Sequence, residues 1–287
     1  QRQMCIRDSA MTGSVGAVIV DGAGELYTKQ LAQDMVFAAN TAGCAFFGKP
    51  LVEGTGSLYN QHILAKKRGM TPEQTYFARA RELAEELARF EPPRFSRPRL
   101  LVLHSSEQGR SGTLWMGQEL CRRLADACEI TELSLQNGTI HDCRGCSYKT
   151  CLHFAENGGC FYGGAIAETV LPAIRDCNAM LFLCPNYNDA VSANISALFN
   201  RLTSLLLQCT LNDKYLFGVV VSGYSGGDLV ARQLLGAMCL NKTAMLPPSF
   251  CLMRTANDLA TLQAAPDIHD ALDRFAAHIR QTIGKIT

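Results

Sequence analysis

No apolar run in this chain approaches the roughly 18 residues that a membrane-spanning helix requires, and its start lacks the apolar core of a secretory signal. An excess of one charge is missing too. With 18% charged residues and a net charge of +1, the chain has no basic stripe to grip nucleic acid or an anionic membrane. The phosphate-loop frame GxxxxGK[ST] does not occur, which argues against nucleoside triphosphate hydrolysis. What remains is a globular, cytoplasmic protein of 287 residues, 47% of them hydrophobic, with small, neutral partners.

Cysteine is abundant. Thirteen of them, an odd number in a chain too large to need stapling, argue for free or metal-bound thiols in a reducing compartment over a disulfide framework.

The length allows one large domain or two ordinary ones. Residues 1–9, QRQMCIRDS, carry no apolar period and read as an adapter-derived artefact, excluded from fold reasoning. Ala10 then continues a reading frame whose beginning lies upstream. An internal echo follows: Val15 to Gly43 can be laid over Phe217 to Met245, Gly16 on Gly218, Val18 on Val220 and Gly24 on Gly226. Both stretches read as buried strand, glycine-bearing turn and helix. A helix over Thr71 to Phe90, with Pro72 suited to its first turn, runs into prolines 92, 93 and 98. Residues 10–91 thus read as the closing half of a first domain, 92–96 as a linker and 97–287 as a complete second copy.

In the complete copy, Leu100 to Leu103, "AMLFLC" ending at Pro185 and "YLFGVVV" are continuous apolar runs, the mark of parallel strands covered on both faces. Weaker strands fall at Glu129 to Leu135 and Phe250 to Met253. Helices are expected at Gly117 to Cys128, Ile166 to Arg175, Ile195 to Leu205, from a cap at Asp228 to Leu240, and Asp267 to Ile283. Alternating strands and helices predict an α/β fold, a doubly wound five-stranded parallel sheet that binds ligand outside the strand C-termini.

Three loops fall there. Ser105, Ser106, Ser111, Gly112 and Thr113 follow the first strand, Pro185, Asn186, Tyr187 and Asn188 the third, and Ser222, Gly223, Tyr224 and Gly226 the fourth. Their hydroxyls, and the N–H groups freed at a helix start, can cradle a phosphate monoester without lysine. Tyr187 can stack on a flat heterocycle. His104, His141 and His153 could each be ligands, but a lone histidine is more often a satisfied polar residue.

Taken together, Ser105 with Gly112-Thr113, Pro185-Asn186-Tyr187, Ser222 to Gly226 and the cysteines after the second strand resemble the NADPH-dependent FMN reductase family, including its iron-sulfur flavoprotein branch. The likeness runs from Arg97 to the C-terminus. The arginine and asparagine usual in the first loop are missing. The resemblance implies a flavodoxin-like fold, bound FMN, NAD(P)H as co-substrate, a small-molecule or protein electron acceptor, and no catalytic side chain. It also implies a homodimer. A non-catalytic binding module is the alternative that the missing residues raise.

Cys143, Cys146, Cys151 and Cys160 lie within eighteen residues, spaced Cys-x2-Cys-x4-Cys-x8-Cys, with Gly145, Gly158 and Gly159 between them. Four readings stay open: a 4Fe-4S cluster wiring the flavin to a partner, a zinc site, a redox-active disulfide, or plain thiols in a loop over the flavin.

Overall fold

The computed structural model describes residues 10–107, 109–136, 140–156 and 159–285. The proposed adapter segment and Gly158 therefore lie outside the described residues. Two parallel sheets form. The larger is built from β3 (Arg99–His104), β4 (Glu129–Ser134), β5 (Ala179–Pro185), β6 (Tyr215–Ser222) and β7 (Cys251–Thr255), in the order β4-β3-β5-β6-β7. The chain starts in the interior, moves to one edge, then crosses to the other side. That reversal makes a topological switch point at the C-terminal ends of β3 and β5.

Side chains alternate along each central strand, so one apolar run feeds two cores. Leu101, Leu103, Met180, Phe182, Leu216 and Val220 point into one. Leu100, Val102, Leu181, Leu183, Phe217 and Val219 point into the other. The second is closed by α4 (Gly112–Leu124) and α11 (Ile268–Ile283), which pack on each other. Gly117 lets α4 lie close on β5, because a Cβ there would collide with the Leu183 side chain. The first core is closed by α6 (Leu171–Asp176), α7 (Ala193–Arg201) and α9 (Gly227–Leu235).

Several expected helices are interrupted. A π-helical turn, Ile166–Val170, precedes α6, and another, Gly236–Leu240, follows α9. The stretch after α7 restarts as α8 (Thr203–Leu206). Asp228 is not the cap of α9: Gly226 takes that place with φ +88°, a left-handed backbone that glycine adopts without a Cβ clash. Asp228 instead sits in the first turn and pairs with Arg232.

The N-terminal part repeats the closing order of the larger sheet. β1 (Val15–Asp21), α1 (Thr28–Thr41), β2 (Ala45–Gly54), the short α2 (His62–Arg68) and the long α3 (Pro72–Arg89) mirror β6, α9, β7, α10 (Leu259–Gln263) and α11. Thr71 caps α3 in a full capping box with Gln74. Register also repeats. Val15 faces Ala45 and Val18 faces Leu51, as Tyr215 faces Met245 and Gly218 faces Cys251, every partner numbered 200 higher. Lys49 and Ser249, again 200 apart, are both left-handed, at φ +61° and +47°. The structural match therefore sets Val18, not Gly16, against Gly218. The glycines serve different neighbours: a Cβ on Gly16 would strike the Phe46 ring, and one on Gly218 would press on Leu234.

The two parts join where equivalent positions meet. Phe46 and Leu246 exchange reciprocal backbone hydrogen bonds of 2.8 Å in an antiparallel bridge, which puts a local two-fold axis between them. Asn40 is 1% exposed, and its side chain donates to Cys44 O and Pro247 O and accepts from Phe250 N–H. The 92–96 stretch is tied down as well, since Phe95 bonds Ile283 and Lys285, and Tyr215 donates to Pro93 O. β1 pairs only with β2, so its outer edge has no strand partner among the described residues. Ile19 on β1 is 52% exposed, whereas Val219, the matching residue of β6, is fully buried.

Asn40→Ala strips partners from two buried backbone groups of the C-terminal part, Pro247 O and Phe250 N–H, and should lower unfolding free energy by about 2–4 kcal/mol. Urea denaturation measures this, with the exposed Lys29→Ala within about 0.5 kcal/mol of the parent as control.

Candidate active site at the carboxyl edge of the large sheet

A hollow of about 420 Å³ opens at the switch point. Three expected loops meet in it: Ser105, Ser106, Ser111, Gly112 and Thr113; Pro185, Asn186 and Tyr187; and Gly223. Asn188, Ser222, Tyr224 and Gly226 are not in its wall. Each has another position or partner. Asn188 is a left-handed turn residue, Ser222 accepts a hydrogen bond from Asn186 Nδ2 at 3.1 Å, Tyr224 is 82% exposed, and Gly226 caps α9.

The first loop is shaped from below by His104, which is 3% exposed at the end of β3. Its Nδ1 accepts the Ser106 N–H at 3.3 Å, and its Nε2 faces Glu132 Oε1 at 3.2 Å. Both ring nitrogens are engaged, and the ring is a brace inside the turn. Ser111 then caps α4, accepting from Leu114 N–H at 3.2 Å, and Thr113 is buried in the first turn. Ser106 Oγ is buried with no hydrogen-bond partner. A hydroxyl left in that condition costs stability unless a ligand completes it.

The second and third loops are locked together by Asn186. Its Oδ1 accepts from Asp189 N–H at 2.7 Å, and its Nδ2 donates to Asp189 Oδ1, Ser222 Oγ and Ser225 O at 3.1–3.3 Å. Ser105 Oγ and Ser192 Oγ, 2.6 Å apart, tie the first loop to the start of α7. Gly223 lies against the last loop, because a Cβ there would stand 2.9 Å from Asn257 Oδ1.

Sequence reasoning missed seven wall residues, one of them Val221 near the end of β6. Glu107 and Arg110 lie inside the first loop, and Ala256, Asn257, Asp258 and Leu259 follow β7. Arg110 is the one cation in the wall, and it stands in the very loop whose usual arginine is absent at the expected place. Asp258 caps α10 through Thr261 N–H at 2.7 Å, and that bond holds its carboxyl below the usual range. The available signal was the sheet order, which brings the end of β7 beside the end of β6.

The four cysteines converge elsewhere. Cys143, Cys146, Cys151 and Cys160 line a cavity of about 280 Å³ with Phe154, Phe161, Tyr162 and Arg201. Burial raises the Cys151 thiol, and the other three thiols add to the shift. Arg201, 4% exposed, clamps the segment by donating to His141 O at 3.3 Å and Gly163 O at 2.7 Å. Yet among the described residues no three His, Cys, Asp or Glu side chains stand together as a metal-ligand set. Cys151 sits on a helix, α5 (Tyr148–Glu156). Among the described residues, this cavity shares no wall residue with the hollow. It lies at the far end of α7, whose nine residues span about 13 Å.

With this geometry in view, residues 98–258 match the sequence model of the NADPH-dependent FMN reductase family. The match covers more than half of the chain, which belongs to that family and is a flavin-dependent NAD(P)H oxidoreductase. No curated protein sequence matches. Among solved structures, RosB with a bound intermediate, 8-demethyl-8-formylriboflavin-5'-phosphate, aligns at 12% identity over 64% of this chain and 78% of its own, with a TM-score of 0.52, and shares the fold. The NAD(P)H:quinone oxidoreductase of Methanothermobacter marburgensis aligns at 12% identity over 67% and 98%, with a TM-score of 0.47. An azoreductase from Bacillus anthracis str. Sterne gives 12%, 64%, 98% and 0.45. No described helix is long and apolar enough to cross a membrane.

Burial drives the Cys184 and Cys239 thiols up to about 12, so at pH 8 neither presents the thiolate that alkylating reagents attack. Cys143 and Cys146 are exposed. Iodoacetamide on native protein should label Cys143 and Cys146 and spare Cys184 and Cys239, as read by peptide mass spectrometry.

Proposed function

We propose that the hollow holds FMN, its phosphate at the start of α4 and its ring beside Tyr187, and that the protein passes electrons from NAD(P)H to a small-molecule or protein acceptor. The unpartnered Ser106 hydroxyl carries this reading. It is a buried donor awaiting an acceptor, placed in the turn before the N-terminus of a thirteen-residue helix. Ser111, Gly112 and Thr113, at the start of α4 where helix N–H groups lack intrahelical partners, line the same hollow, and Arg110 supplies one positive charge. The residues present fit a phosphate monoester on a flat hydrogen-bonding body.

Bound FMN would supply two-electron chemistry, taking hydride from a nicotinamide and passing electrons on one or two at a time. The chain's own residues bind and orient. Asn186 fixes the second and third loops as one wall, Gly223 leaves backbone at the surface, and His104 holds the first turn open from beneath. Tyr187 is 57% exposed, so one side of the site stays open to donor and acceptor, and a second copy of the chain is the expected cover in a homodimer. Glu107 and Asp258 in the wall disfavour a second anionic group close to the first. The cysteines do not form a ligand set, so no electron path is drawn through a cluster.

The repeated register and element order also support reading residues 10–91 as the closing half of a first flavodoxin-like copy, joined through 92–96 to the copy over 97–287. That half has no counterpart of β3 or the start of α4, and so no phosphate turn of its own among the described residues.

Purified protein should be yellow, or become so on adding FMN, and NADPH should bleach it under anaerobic conditions. Colourless protein that ignores added FMN rejects the proposal. Ser106→Ala should act in two directions: the apo-protein gains about 1 kcal/mol by losing an unsatisfied buried hydroxyl, while FMN binding weakens about tenfold. Thermal melts with and without FMN measure both.

A further inference from the structure

β5 leaves the sheet at Pro185 into a two-residue turn. Tyr187 and Ala190 exchange backbone hydrogen bonds of 3.2 Å, leaving Asn188 at φ +55° and Asp189 at φ +59°. Two successive left-handed residues without glycine are a strained arrangement, tolerated best by Asn and Asp and held only where the surroundings fix it. Asn186 fixes it from within. The second brace comes from another element. Gln233 on α9 accepts the Val191 N–H on Oε1 at 3.1 Å and donates from Nε2 to Asp189 O at 3.0 Å. One amide thus satisfies an acceptor and a donor on the far side of the turn that carries Tyr187.

α9 is itself held by the N-terminal part. Gln33 of α1 donates to the backbone carbonyl of Arg232, the residue next to Gln233. Asp34 accepts from Arg232 at 3.0 Å, and the Arg232 guanidinium lies 5.3 Å from the centre of the Phe37 ring. A Cβ on Gly236 would come to 3.0 Å of Gln33, so the two helices are close at this crossing.

We infer that Gln233 is a positioning residue for the flavin site: by bridging α9 to the Asn188–Asp189 turn it sets the Tyr187 ring over the hollow, and α1 keeps that bridge in register. This rests on the reading that the hollow holds FMN. The inference gives the N-terminal part a role in the chemistry of the other part, although none of its described residues lies in the wall of the hollow.

The test uses the whole chain and free FMN. Gln233→Leu should weaken FMN binding about fivefold and raise the fluorescence of the bound flavin about twofold, because a loosened Tyr187 quenches less. Gln233 is exposed, so the melting temperature of the apo-protein should move by less than about 2 °C. Tyr187→Ala should give changes of the same kind, and adding Gln233→Leu to it should cost nothing further. Gln233→Glu keeps the acceptor for Val191 N–H but turns a carboxylate toward Asp189 O, and should fall between wild type and Gln233→Leu. Unchanged affinity and fluorescence in Gln233→Leu, or effects that multiply in the double variant, would overturn the inference. Amide hydrogen exchange at Val191 in the apo-protein separates this from the cofactor reading: Gln233→Leu should speed it at least about threefold. Should exchange speed up in a protein that binds no FMN, the brace stands and the flavin role falls; should exchange not change, the brace itself is absent.

Discussion

A parallel strand that is paired on both edges and roofed by helices on both faces has one place to put polarity: beyond its carboxyl end. β3, β5 and β6 are such strands, and every side chain from Leu100 to Leu103 and from Ala179 to Cys184 is buried. Hydroxyls, amides and charges are therefore expelled into the turns that follow. Sheet order does the rest, bringing the turns after β3, β5, β6 and β7 around one hollow. The site is a by-product of where a doubly wound sheet can tolerate water-loving atoms, then refined by individual residues.

The same constraint explains what was legible in the sequence. "LLVL", "AMLFLC" and "YLFGVVV" are apolar without a break, which only a strand roofed on both faces requires, so the sheet and three of its turns could be read directly. Less could be read where local signals compete. Asp228 looks like a cap by type, but the cap is a backbone angle at Gly226, decided by how the chain leaves β6. Cysteine density in Cys143 to Cys160 drew attention from the helix that Tyr148 to Glu156 forms. Arg110 and the residues after β7 entered the wall only through tertiary neighbours, which no local pattern records. Ser106 stood out as a hydroxyl by type, yet its lack of a partner is a fact of burial.

Between the two parts of the chain the contact is of like with like. Phe46 bridges Leu246, two hundred positions further on, and α1 lies against α9, so the contact has the form of a two-fold one within a single backbone. A covalent link changes what such an interface must do. It no longer has to find its partner from solution, and here it is continuous with the larger core: Val36, Phe46 and Leu51 share one buried apolar cluster with Leu234, Met238 and Leu246. The N-terminal part can then act on α9 without owning any of the chemistry.

The outer edge of β1 leads to a different property. Its backbone donors and acceptors point outward beside the uncovered Ile19, in a strand whose inner equivalent has a neighbour on each side. Such a rim is adhesive without being selective, since any extended polypeptide of suitable length can add itself there. A strand added beside β1 would give it the hydrogen bonding that β6 already has on both sides.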